Sequence, residues 1–90
     1  MSELKHNKLQ NTFTLDVNGD ETRIEYRFRD GKMYLMHAFV PHKLRGKGVG
    51  QQLVLKTFEQ LTKEGFTAVG VCSYIRAIAQ RHPKWNSIIE

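Results

Sequence analysis

In this chain of 90 residues, the side chains best suited to covalent or acid–base chemistry are Cys72 and His37. Cys72 is the single cysteine and sits in VCSYI, where an apolar run gives way to a helical pattern. A helix N-terminus favours the thiolate, which is the nucleophilic form. A buried structural thiol fits the same spacing, and spacing alone leaves both readings open. His37 stands in KMYLMHAFV. Alternation puts it on one face with Met33, Leu35 and Phe39, where a lone histidine is more often a satisfied core residue than a base. An imidazole ordinarily titrates near neutrality, so it could also deprotonate a thiol or an ammonium group.

The backbone offers a third candidate. VPHKLRGKGVGQQL, residues 40–53, carries Gly46, Gly48 and Gly50 beside Lys43, Arg45 and Lys47. A glycine-rich loop opening a helix directs free N–H groups and the positive end of the helix dipole outward, which suits an anion. Spacing separates three versions. A nucleoside-triphosphate loop needs Lys and then Ser or Thr after its last glycine, but Gly50 is followed by Gln51 and Gln52. A dinucleotide fingerprint needs a glycine where Gln51 or Leu53 stands. Arg45-x-x-Gly48-x-Gly50 fits the third version, Arg/Gln-x-x-Gly-x-Gly/Ala, without a gap.

These groups need elements to hold them. Residues 1–10 are polar and predict a flexible, frayed N-terminus, leaving residues 11–90 as one domain. TFTLDV and TRIEYRFR alternate with period two, and KMYLMHAFV is apolar on nearly both faces. Asn18-Gly19 and Asp30-Gly31 between these runs predict two tight hairpins. Ile24, Tyr26 and Phe28 share the presumed core face. After the glycine loop, Val49, Leu53, Val54, Phe58 and Leu61 form the apolar stripe of a helix from Val49 to Lys63, stopped by Gly65. FTAVGVC predicts a fourth strand, parallel to the third because a helix joins them. Ser73 is positioned to cap a last helix, Tyr74 to Arg81, before Pro83. Trp85, Ile88 and Ile89 would dock the tail. The class is α+β: an antiparallel β-meander, a βαβ unit and a C-terminal helix.

At this point the sequence resembles the GNAT superfamily of acetyl-CoA-dependent N-acetyltransferases. HAFVP, LRGKGVG, VCSYI and RHPKW together resemble a small single-domain subgroup, over Met33 to Trp85. The resemblance implies the minimal acyl-CoA N-acyltransferase fold, with coenzyme A lying where the third and fourth strands splay. It implies that Phe39, Val40, Arg45, Gly46, Lys47, Gly48, Val49 and Gly50 bind the cofactor, the loop amides taking its pyrophosphate. It puts Cys72 and His37 in the active site, Cys72 near the acetyl end. Transfer would be direct to an amine or would pass through an acetyl-cysteine. The implied acceptor is a small amine, a protein lysine or a protein N-terminus. Larger members insert helices after their first strand; the Asn18-Gly19 turn here implies a more open acceptor side. A non-catalytic acyl-CoA-binding or sensing module is the alternative.

Composition narrows the rest. A net charge of +5 suits a polyanionic partner such as nucleic acid, an anionic membrane or a phosphorylated cofactor. Nucleic-acid binding is disfavoured because no exposed aromatic platform interleaves with the basic residues. No apolar run approaches membrane length, and one cysteine with no secretion signal predicts a cytoplasmic protein. The four histidines and one cysteine show no metal-ligand spacing. Arg23, Arg27 and Arg29 on one strand, and Arg76, Arg81 and Lys84 near the C-terminus, read as solvated surface.

Overall fold

The turn dipeptides set the frame of the computed structural model, which describes residues 3–90. Strands β2 (Thr12–Val17) and β3 (Asp20–Arg29) are antiparallel across Asn18-Gly19, whose φ angles are 53° and 86°. The turn from β3 to β4 (Lys32–Phe39) repeats this at Asp30-Gly31, with 51° and 78°. Positive φ at both central positions gives the turn whose twist matches the flanking strands. Strand β5 (Thr67–Gly70) runs parallel to β4, and the sheet order is β1-β2-β3-β4-β5.

Strand β1 corrects the reading of a frayed N-terminal segment at residues 5–7; residues 1 and 2 of that segment lie outside the described residues. Lys5–Asn7 pairs antiparallel with β2. The polar composition conceals it because the inward-pointing residue of this strand is a histidine. His6 stacks on Phe13 with ring centroids 4.1 Å apart.

Helix α1 (Val49–Lys63) makes the crossover from β4 to β5. It buries Val49, Leu53, Val54, Thr57, Phe58 and Leu61, the stripe anticipated from its period plus one threonine. Thr57 is accommodated because its hydroxyl donates to the Leu53 carbonyl at 2.8 Å. Gly65, at φ 88°, ends the helix in the left-handed conformation that glycine adopts most readily. Helix α2 (Ser73–Arg81) begins one residue earlier than its sequence suggests: Cys72 is the N-cap and no side chain caps the helix. Ser73 is therefore the first helical residue. A final turn, α3 (Pro83–Asn86), brings Trp85 to 5.5 Å from Phe58. Ile89 is buried and bridges to Ala68, whereas Ile88 is partly exposed.

One core forms between the helices and a single face of the sheet. Phe13, Leu15, Ile24, Tyr26, Met33, Leu35 and Ala68 meet Leu53, Phe58, Leu61, Ile75, Ile78 and Trp85 there. The opposite face, with Glu21, Arg23, Glu25 and Arg27, carries no helix. Phe28 departs from the core assignment: it is 52% exposed and packs edge-on against Phe66 at the sheet margin.

Candidate functional site

From Phe39 the chain passes through Val40 and Pro41 into a short 3₁₀ turn, His42–Leu44, anchored by the buried Leu44. Then come two left-handed glycines, Gly46 at φ 80° and Gly48 at φ 77°. A residue with a Cβ pays roughly 1–2 kcal/mol in that region. The space outward of both α-carbons is open, so conformation rather than crowding requires glycine there. The consequence is electrostatic. Among the described residues, no amide from Gly46 to Gln51 donates to a backbone carbonyl, and the first to do so is Gln52, to Gly48 O at 3.1 Å. The first turn of α1 holds no acidic residue. Unpartnered N–H groups at the positive end of a 15-residue helix suit an anion.

A cleft of about 450 Å³ opens over these amides, lined by Ala38, Val40, Arg45, Gly46, Gly48, Gly50, Gln51 and Tyr74. Arg45 is held at its rim, with Nε donating to the Val40 carbonyl at 3.2 Å. Lys43 is engaged elsewhere, in an ion pair with Asp20 at 3.1 Å. Lys47 lies between the two left-handed glycines. Val49 contributes only backbone, since its side chain is buried in the core. A larger hollow, about 880 Å³, lies on the opposite side of the sheet. It is lined by Lys5, Glu21, Arg23 and Glu25 among others, charges of both signs.

The cleft adjoins a break in the sheet. Parallel pairing of β4 with β5 ends at Leu35 and Gly70. The amides of Val71 and Cys72 both turn onto the Leu35 carbonyl, at 3.2 and 3.1 Å. Beyond that point the β5-side edge of β4 is unpaired, although β4 stays paired with β3 as far as Phe39. Cys72 thus stands at the start of the opening, partly buried against the core.

The same strand carries a bulge that overturns the simple alternation. Glu25 pairs with His37 but Tyr26 pairs with Leu35, which leaves Met36 as an extra residue. An inserted residue moves every following side chain to the other face. Ala38, opposite Ile24, therefore takes the core side. His37, opposite Glu25, and Phe39, opposite Arg23, take the helix-free side. His37 is exposed, and the Arg23 guanidinium lies 4.7 Å from the centre of the Phe39 ring. So His37 does not share a face with Met33 and Leu35, and Phe39 does not line the cleft. Of the sequence candidates, Val40, Arg45, Gly46, Gly48 and Gly50 come together. Cys72 and His37 flank the opening from opposite faces of the sheet.

Ala38, Gln51 and Tyr74 line the cleft without having been singled out by the sequence. Ala38 follows from the bulge, which local pattern does not reveal. Tyr74 belongs to VCSYI, so its motif was visible although its role was not.

A second polar cluster lies outside the cleft, between the N-terminal strand and the end of α1. His6 Nδ1 bonds Glu64 Oε1 at 2.9 Å and its Nε2 faces the Tyr26 hydroxyl at 2.5 Å. Gln60 donates to Glu64 Oε2 at 2.7 Å. Burial alone would raise the Glu64 carboxyl. The hydrogen bonds from Gln60 and His6, with the charges of His6 and Lys8, outweigh it and hold Glu64 below its ordinary value. Burial, with the Glu64 charge second, pushes the Tyr26 phenol up.

Two comparisons bear on this geometry. The NMR solution structure of a GCN5-like protein from Staphylococcus aureus aligns with a TM-score of 0.70 at 24% identity, covering 98% of this chain and 87% of that one. At that identity the likeness shows a shared fold. The family model of the GCN5-related N-acetyltransferases matches residues 12–88. That span takes in the meander, the glycine loop, the strand opening and Cys72, and the chain belongs to the GCN5-related N-acetyltransferase family.

Proposed function

We propose that the protein transfers an acetyl group from acetyl-CoA to an amine, holding coenzyme A at the Gly46–Gln51 amides. The observation that carries this reading is the row of backbone N–H groups without backbone partners beside a strand opening, in a chain of this family. The residues present fit the group: glycines that expose backbone, no carboxylate in the first helical turn, and Arg45 and Lys47 to offset phosphate charge. Val40, Ala38 and Tyr74 would wall the cofactor, and the unpaired edge of β4 would receive its pantetheine arm. Acetyl-CoA would supply an acetyl thioester, whose C–S bond breaks as the amide C–N bond forms, coenzyme A leaving as the thiolate.

His37 would take the proton that the amine loses, acting from the helix-free face. Cys72 would border the acetyl end from the core side. Their separation across the sheet favours direct transfer over a relay that needs His37 to activate Cys72. The uncovered face leaves room for an acceptor as bulky as a protein lysine or N-terminus, and equally for a small amine.

Acetyl-CoA turnover against a panel of amines, peptides and proteins tests this. His37→Ala should lower kcat by about 10²-fold, while Cys72→Ala keeps most of it. A protein that binds coenzyme A yet acetylates nothing in the panel would favour the sensing module instead. Loss of all transfer in Cys72→Ala, with an acetylated Cys72 detected by mass spectrometry in the wild type, would establish the relay.

A further inference from the structure

Gly46 and Gly48 are explained by their positive φ, but Gly50 is not. It is absent from the positive-φ residues and is the second residue of α1. The space beside it is taken by Tyr74. A methyl group at Gly50 would overlap the Tyr74 hydroxyl and come within 3.2 Å of its Cζ. Tyr74 is the second residue of α2, and its ring crosses to the first turn of α1 to form one wall of the cleft.

Among the described residues, no hydrogen bond engages the hydroxyl. Tyr74 is 45% exposed. The side-chain hydrogen bonds nearby run from Arg45 to Val40, between Gln51 and His82, and from Arg76 to Gly70. None involves the Tyr74 hydroxyl, which stands against the free amides with a donor to spare. We infer that Tyr74 is a ligand-binding residue of the cradle: its O–H donates to a phosphate oxygen held by the Gly46–Gln51 amides. Gly50 is glycine so that this hydroxyl can reach the helix. The inference rests on the coenzyme A reading above and adds a donor from a second helix. It also ties the cofactor's phosphates to the helix whose N-cap is Cys72.

The test is calorimetric titration of coenzyme A into the wild type, Tyr74→Phe, Tyr74→Ala, Gly50→Ala and the pair Gly50→Ala with Tyr74→Ala. ³¹P spectra of the bound cofactor accompany it. Tyr74→Phe keeps the ring and removes the donor, so Kd should rise about tenfold with an unchanged thermal midpoint, as for loss of a hydrogen bond to a charged group. The pyrophosphate resonances should shift between the two proteins. Gly50→Ala should weaken binding at least as much by displacing the ring. In a Tyr74→Ala background the glycine substitution should add nothing further, the non-additivity of groups in contact. Wild-type affinity in Tyr74→Phe would overturn the assignment, as would a tenfold loss with unchanged pyrophosphate resonances. Absence of coenzyme A binding by the wild type would overturn the underlying reading itself.

Discussion

The glycine cleft and the His6 cluster invert what their residue types suggest. His6, Glu64 and Tyr26 are the stock of acid–base catalysis, linked by short hydrogen bonds. Glycines carry no chemistry at all. Yet the cluster is closed: His6 is 6% exposed at its side chain, both ring nitrogens are engaged, and Gln60 and Lys8 complete the surroundings of Glu64. The cleft is the reverse, with amides and a tyrosine hydroxyl left without partners among the described residues. Polar groups satisfied from within hold a structure together, whereas convergent polar groups left unsatisfied await something from outside.

This contrast can be broken by mutation. The largest effect is predicted for His6→Ala. It leaves Tyr26 and Glu64 short of a partner and opens a space over Phe13, costing about 2–3 kcal/mol of stability. The thermal midpoint should fall by roughly 10 °C or more for a domain this small, with coenzyme A affinity unchanged. A binding loss matching the stability loss would show that the two regions are not separate. Gly48→Ala should act the opposite way round. The strain of a left-handed alanine costs about 1 kcal/mol in chemical denaturation, and relaxation of the loop should weaken coenzyme A severalfold in calorimetry.

Smaller still is the acid response of the cluster. Glu64 has a folded-state pKa below its ordinary value of 4.5. Its contribution is therefore complete above that value and is lost as pH falls through the lower folded-state value. Denaturation midpoints from pH 6 down to pH 3 should decline more steeply in the wild type than in Glu64→Gln. Identical slopes would remove Glu64 as the titrating support. The smallest effect belongs to the exposed Lys32–Glu90 pair, at 2.9 Å. Its hydrogen bond to Glu90 raises the Lys32 pKa, but Lys32→Ala should leave stability and binding within error because solvent screens such pairs.

Features fixed by local chemistry were legible in the sequence. The limits of α1 follow from its apolar period and from Gly48 and Gly65, and both hairpins follow from Asn18-Gly19 and Asp30-Gly31. The exposed backbone of the glycine loop was legible because it depends on glycine spacing. Features set by pairing across the sheet were not. The Met36 bulge arises from the register of β3 against β4, so the face of His37 could not be read from its neighbours. Strand β1 was hidden because His6 becomes an inward residue only when Phe13, Tyr26 and Glu64 surround it. The role of Gly50 needed Tyr74, which is 24 positions away in the chain.

The most direct test of the account is an amide ¹H–¹⁵N titration of the wild-type protein with coenzyme A. The account predicts that the largest shifts fall on the amides from Gly46 to Gln51, with Ala38 and Tyr74 next and His6 and Glu64 unmoved. Shifts centred on Lys5, Glu21 and Arg23 across the sheet, or none at millimolar coenzyme A, would contradict it.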